Sequence, residues 1–218
     1  MKSGMREEIV DYWNRRSDEY DASPGHSLSG QPEKAAWLGV LRELLPPPPP
    51  AEVLDVGTGT GFLALLLAEM GYEVTGIDLA VDMLARARAK ATGMTAPPVF
   101  AVGDAADPPG GPKRFDALVC RHVVWTLVDP PTAFALWLQL LRPGGRLAAF
   151  DVVRTGDRPP GTPGYPDQLR AALPFANLSK PGPVLSALRS AGFAEVSARR
   201  LHEIERAPMR RQHRGPPP

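Results

Sequence analysis

The sequence predicts an α/β fold on a mostly parallel central sheet, and three observations carry the prediction. Short aliphatic runs, Val53-Leu54-Asp55-Val56, Glu73-Val74-Thr75-Gly76-Ile77-Asp78 and Val99-Phe100-Ala101-Val102, alternate with apolar helical stretches. The run Phe115 to Cys120 is apolar at nearly every position, as a strand buried on both faces requires. Between the first run and the helical stretch Phe62 to Met70, glycines stand at alternate positions in Gly57-Thr58-Gly59-Thr60-Gly61. Such a turn aims bare backbone N–H groups and the positive end of a helix at one ligand.

Taken in order, Ile9, Trp13 and Tyr20 fall on helical spacing through a charged segment, with Tyr12 beside them. A second helix, from about Pro32 to Leu45, carries Ala35, Leu38, Leu41 and Leu45 on one face. Pro46 to Pro50 reads as a polyproline II spacer, with a ligand for a proline-reading domain as the alternative. After the glycine turn and its helix, Gly71 suits a C-terminal cap. Asp78 ends the second strand about 20 positions past the turn, where one carboxylate can accept from two adjacent ribose hydroxyls. The helix after Asp78 starts behind Ala80, which has no capping oxygen; that loss costs about 1 kcal/mol. Asp82, in the first turn, offsets part of it through the helix dipole.

Beyond the third strand, Gly103-Asp104-Ala105 leads into a Pro/Gly loop from Pro108 to Pro112. Arg121, His122 and Trp125 lie at or past the C-terminal end of the fourth strand, where an open α/β sheet places its chemistry. Asp129-Pro130-Pro131 supplies a capping acid and a helix-starting proline for Ala133 to Leu141. The turn Arg142-Pro143-Gly144-Gly145 precedes a fifth strand at Arg146–Asp151. Thr155 to Pro183 is a long Pro/Gly-rich loop, functional or disordered, with a short helix through Asp167–Leu173. Val184, Leu185 and Leu188 mark a helix ending at Gly192, and Phe193 to His202 is expected to form a sixth strand. Arg206 to Arg214 lacks alternation and is too polar for a buried strand; it is a solvated tail or, alternatively, an RNA contact.

The chain has 218 residues, 43% hydrophobic and 22% charged, which suits one globular domain with a full α/β core. Within it, residues 1–50 are expected to be a helical lid and spacer, 51–151 a cofactor-binding core, 152–205 a substrate cap with helix and strand, and 206–218 a disordered tail. A formal net charge of +1 provides no field for nucleic acid or an anionic membrane. The single cysteine, Cys120, excludes an intrachain disulfide, and the lack of a Cys/His cluster argues against zinc. The N-terminus is charged, unlike a secretory signal, and the longest apolar run falls short of the ~20 residues of a membrane helix. A cytoplasmic location is the default expectation.

The spacing G-x-G-x-G, with Asp55 just ahead, differs from the G-x-G-x-x-G of dinucleotide folds. It resembles motif I of the class I S-adenosylmethionine-dependent methyltransferases. Leu79-Ala80-Val81-Asp82-Met83-Leu84 resembles that family's D-x-S-x-x-M-L, with Ala80 in place of the hydroxyl. Leu141 to Gly145 resembles its L-x-P-G-G turn. Tyr12 to Asp21 resembles the W-x-x-x-A-x-x-Y-D opening of small-molecule methyltransferases of the quinone-biosynthesis type.

The resemblance implies a Rossmann-like three-layer sandwich that binds S-adenosyl-L-methionine and releases S-adenosyl-L-homocysteine, with no metal. It places Asp55, Gly57, Thr58, Gly59 and Gly61 around the amino-acid moiety and sulfonium. Asp78 takes the ribose, beside Leu79, and Met83 packs on the adenine. Asp104 accepts from the adenine amino group and the Ala105 N–H reaches the ring, the alternative for Asp104 being a solvated loop acid. Arg121 completes the cofactor site. Tyr12, Trp13 and Tyr20 belong to a closing lid or, equally, to an amphipathic helix packed on the core. Trp125, Tyr165 and Phe175 are expected to line the acceptor site. His122 is the candidate general base, or a histidine that only hydrogen-bonds a loop. The family's seventh, antiparallel strand has no counterpart in the sequence.

The implied function is in-line transfer of methyl to an O or N atom of a small molecule, by a monomer or homodimer. A non-catalytic or partner-activated S-adenosylmethionine-binding protein is the alternative, motivated by Ala80 and the missing strand. A nicotinamide-dependent oxidoreductase would need the last glycine displaced by one residue.

Overall fold

Strands β1 (Glu52–Val56), β2 (Glu73–Asp78), β3 (Val99–Val102), β4 (Phe115–Arg121) and β5 (Leu141–Phe150) pair in parallel in the order β3-β2-β1-β4-β5. The structure, a computed structural model, describes residues 2–23, 25–47, 51–152 and 165–205. Pro48–Pro50 of the spacer, residues 153–164 of the long loop and the tail from Arg206 lie outside these. The chain runs outward from β1 through β2 to β3, then crosses to β4 and β5 on the other side. The order therefore reverses between β1 and β4, and such a reversal opens a crevice beyond the C-terminal strand ends.

Two hydrophobic layers enclose the sheet, because successive strand residues point to opposite faces. Val53, Val74, Ala117 and Val119 pack with helices α2 (Gln31–Leu44), α3 (Phe62–Glu69) and α4 (Val81–Ala91). Leu54, Val56, Leu118 and Cys120 pack with α5 (Pro130–Leu140) and α7 (Gly182–Ser190). Helix α3 ends as its sequence indicates: the Gly71 N–H bonds the Ala68 carbonyl and the Tyr72 N–H the Leu67 carbonyl, with Gly71 at φ 92°. Asp129 caps α5, accepting from the Thr132 N–H and hydroxyl at 3.4 and 3.0 Å.

Helix α1 (Lys2–Tyr20) lies against α4, and its Met5, Ile9, Tyr12 and Trp13 pack on a third cluster. That cluster is centred on Tyr165 and on Leu169 of α6 (Asp167–Ala171). No helix among the described residues is long and apolar enough to cross a membrane.

Three expectations are corrected. The buried face of α2 is Trp37, Val40 and Leu41; Leu41 and Leu45 are buried as expected, while Leu38 is half-buried and Ala35 is exposed. The indole sets this rotation by packing edge-on against Phe62 and Phe150, each at 5.2 Å. Strand β5 starts at Leu141, which already pairs with Phe115; the next pair is Ala117 with Arg146, so the Pro-Gly-Gly turn bulges out opposite Asp116.

Phe193 to His202 is not a strand. Phe193 and Val196 turn to the α5/α7 layer, Leu201 and Ile204 to the α2/α3 layer, and residues His202–Glu205 form a short helix, α8. Ala194, Val196 and Ala198 alternate with polar residues, but the positions that pack on the core, 193, 196, 201 and 204, lack that period. Exposed ion pairs, Arg199 with Glu203 and Arg200 with Glu205, run along the segment. Among the described residues there is neither a sixth strand nor an antiparallel one.

Candidate cofactor and acceptor site

The C-terminal ends of β1, β2, β4 and β5 carry the polar residues of the site. Asp55 lies in β1, and its Oδ2 accepts from the Thr58 hydroxyl at 2.7 Å and the Ala64 N–H at 3.2 Å, bracing the glycine turn onto α3. Burial pushes its carboxyl up to about 7, against the pull of those two donors. Asp78, ending β2, bridges two loops: Oδ2 accepts from the Gly59 N–H and Oδ1 from the Ala80 N–H, each at 2.9 Å. Its carboxyl is likewise held up by burial, and N–H donors at Ala80, Gly59 and Leu79 oppose the shift.

Gly57 and Gly59, at φ 65° and 53°, have different reasons to lack a side chain. A Cβ on Gly57 would stand 2.4 Å from Val123 Cγ2, so the β1 and β4 loops could not close on each other. A Cβ on Gly59 would meet nothing within 4 Å. Gly59 therefore presents open backbone to the cavity it lines.

That cavity, of about 90 Å³, is lined by Gly57, Gly59, Asp78, Leu79, Ala80, Met83, Gly103 and Ala105, by Arg121, His122, Val123 and Thr126, and by Ile9, Val10, Trp13 and Tyr20 on or at the end of α1. A smaller hollow shares Tyr20, Gly57, Gly59 and Arg121 with it and adds Asp55, Thr58 and Thr60. Ala105 is held from below by the buried Trp137, whose Nε1–H donates to its carbonyl at 2.7 Å.

Arg121 sits with its guanidinium 4.0 Å from the Phe62 ring centre and 5.6 Å from that of Trp37, and donates to the Gly25 carbonyl. His122 follows β4 in the left-handed region, at φ 60°. Its N–H donates to the Phe150 carbonyl at 2.8 Å, and Nδ1 stands 3.7 Å from an Asp151 carboxylate oxygen. A histidine held at positive φ costs about 1–2 kcal/mol, strain of a kind that gathers at functional sites. The His26 ring lies 5.8 Å from that of His122 and 4.2 Å from Tyr20. Burial first, then the nearby His122 and Arg121, lowers the His26 pKa to about 4.

Some expected site residues lie elsewhere. Asp104 does not line the cavity: its Oδ2 pairs with Arg6 of α1 at 2.8 Å and its Oδ1 accepts from the Ala106 N–H. Tyr12, Trp125 and Tyr165 form a roof behind Trp13, with ring centres 4.6–6.3 Å apart and the Trp13 Nε1–H donating to the Tyr165 hydroxyl at 2.6 Å. Phe175 stacks on Phe134 at 6.4 Å, in the α5/α7 layer. Residues not singled out from sequence include Asp151, Val123, Thr126 and Asn14. Asp151 carried a readable signal: like Asp78, it is an acid at the end of a strand. Among the described residues no group of three His, Cys, Asp or Glu could hold a metal ion.

The family model described as "Methyltransferase domain" matches residues 54–149, from within β1 to the end of β5. Residues 54–149 form a class I S-adenosylmethionine-dependent methyltransferase domain. A curated relative, nocamycin O-methyltransferase of Saccharothrix syringae, is 32% identical over 185 residues, 75% of this chain and 65% of that protein. The chain spans 65% or less of the length of the first curated relatives it matches.

Among solved structures, the cyclase SpnF has a TM-score of 0.57 at 27% identity, covering 72% of this chain and 56% of that one. Phosphoethanolamine N-methyltransferase 2 of Haemonchus contortus, in complex with phosphomonomethylethanolamine and S-adenosylhomocysteine, has a TM-score of 0.66 at 22% identity. It covers 85% of this chain and 43% of its own, and shares the fold.

Proposed function

We propose that this protein binds S-adenosyl-L-methionine in the crevice beyond β1 and β4 and catalyses transfer of its methyl group to an O or N atom of a small molecule, without a metal ion. The observation that carries the reading is the glycine turn closed on two buried acids, Asp55 and Asp78. Two carboxylates in low dielectric repel a pyrophosphate and favour a sulfonium or ammonium. Gly59 offers open backbone, Asp78 a carboxylate for the ribose, and Met83 an apolar wall for the adenine, with Ala105 beside it. When bound, this cofactor supplies an electrophilic methyl group. The protein's part is to hold an acceptor atom in line, about 3–3.5 Å away, and keep water out.

Relatives named as O-methyltransferases, N-methyltransferases and an arsenite methyltransferase support a small acceptor. Nothing in the structure favours the non-catalytic alternative, and Ala80, one of its motives, acquires a partner described below. Calorimetric titration with S-adenosylmethionine, followed by a panel of phenol, carboxylate and amine acceptors, tests the reading; no turnover on any of them would count against it.

For a hydroxyl acceptor, His122 takes the proton as the oxygen attacks, with the Asp151 carboxylate 3.7 Å from its Nδ1. His122→Ala is expected to lower kcat at neutral pH at least tenfold, leave S-adenosylhomocysteine affinity within about twofold, and recover partly at high pH where the acceptor ionises unaided. A wild-type rate at neutral pH, or lost cofactor binding, would remove the base.

Asp55 adds a pH dependence. Its folded-state pKa of about 7 lies above the reference value of 3.8, so the fold favours the protonated form. The stability this confers is complete below about pH 4 and is lost as pH rises through about 7. A cationic ligand beside Asp55 favours the carboxylate instead, so S-adenosylmethionine affinity should rise from about pH 5.5 to about 8 while the unliganded melting temperature falls. Asp55→Asn should flatten both trends; unchanged slopes in titrations and melts would exclude Asp55 as their source.

A further inference from the structure

Helix α4 starts without a cap of its own. Ala80, in the N-cap position, has the extended backbone the position requires (φ −83°, ψ 104°), but its methyl group cannot accept from the first-turn N–H groups. The acceptor comes from α1: Asn14 Oδ1 accepts from the Asp82 N–H at 3.1 Å, across 68 positions of sequence. That donor, at the second helical position, is one that a hydroxyl at position 80 would take. The contact continues at one-turn intervals along both elements, as Asp18 pairs with Arg86 and Asp21 with Lys90 at 2.5 Å. Asp21 also accepts from the Thr60 hydroxyl in the glycine turn at 2.6 Å.

These contacts bear on the cavity. Its walls include Ala80 and Met83 at the start of α4, and Ile9, Val10 and Trp13 on α1. A volume of about 90 Å³ is well below the roughly 300–1,000 Å³ of ligand sites. Entry of a nucleoside-sized ligand therefore requires α1 to lift, which takes Asn14 away from Asp82, and the cap re-forms only when α1 seats again over the bound ligand. The ion pairs at Asp18 and Asp21 are partly or largely exposed and contribute little individually. The cap is the contact that changes the state of α4 itself.

We propose that Asn14 is a positioning residue for the adenosine end of the cofactor: it supplies from α1 the N-cap that α4 lacks, so that seating α1 and ordering residues 78–83 are one event. The inference rests on the reading that residues 78–83 hold the adenosine. The test is titration of S-adenosylhomocysteine into the full chain and into Asn14→Ala, Ala80→Ser and the double variant, each checked for a cooperative melt. Asn14→Ala should raise Kd about fivefold, the scale of a lost cap.

Ala80→Ser restores an acceptor beside the Asp82 N–H without touching α1. The double variant should therefore bind within about twofold of Ala80→Ser alone. Wild-type affinity in Asn14→Ala would overturn the proposal, as would a double variant as weak as Asn14→Ala, since that would leave Asn14 acting only through α1. A wild-type chain that does not bind S-adenosylhomocysteine would overturn the cofactor reading and this inference with it.

Discussion

Gly59→Val should raise the Kd for S-adenosylmethionine at least about 100-fold while the domain still melts cooperatively. A β-branched residue at φ 53° is strained, by about 1–2 kcal/mol. The protein around it, however, has room: a Cβ there meets no atom within 4 Å. The damage falls on the ligand, because the new methyl groups occupy the cavity beside Asp78, and a misplaced position 59 pulls its N–H from that carboxylate. Gly57 makes the contrast, since a side chain there runs into Val123 and so perturbs packing before binding. Calorimetry alongside a thermal melt separates the two outcomes. Near-wild-type affinity in folded Gly59→Val would remove the glycine turn from the site.

Asp78→Ala should weaken S-adenosylmethionine by about 1.5–3 kcal/mol, the range for a hydrogen bond to a charged group. The carboxylate has two duties. It accepts from the Gly59 and Ala80 N–H groups, holding the β1 and β2 loops at a fixed separation, and it places negative charge on the cavity wall. Alanine leaves both N–H groups without that acceptor but also abolishes the desolvation that holds the carboxyl up, so these effects on stability oppose each other. The melting temperature is expected to fall by only a few degrees, about 1–2 kcal/mol at most. Equal affinity for mutant and wild type would exclude Asp78 from the binding site; an unfolded mutant would show that its bridge is structural first.

The sequence by itself determined the five parallel strands, the glycine turn after β1, and the helices α3 to α5. Their signals are local: aliphatic runs of strand length, glycines where backbone turns left-handed, a capping acid before prolines, and an acid closing β2. Periodicity reports which residues must leave water, and in a doubly covered parallel sheet that requirement is satisfied within each short segment.

The tertiary structure decided what depended on partners far along the chain. Asp104 read as an adenine acceptor beside the third strand, yet Arg6, nearly a hundred residues earlier, lies against it. Phe175 read as a wall residue, and the structure stacks it, half-buried, on Phe134. The missing cap at Ala80 read as a defect, and Asn14 fills it from another helix. Asp151 and His122 meet because β4 and β5 are neighbours in the sheet. Phe193 to His202 has strand-like composition, but the residues that pack on the core, Phe193, Val196 and Leu201, do not fall at the alternate positions of an extended strand. A hydrogen bond or ion pair needs a particular partner within about 3 Å. No local pattern of polarity names that partner; only the path of the chain brings it there.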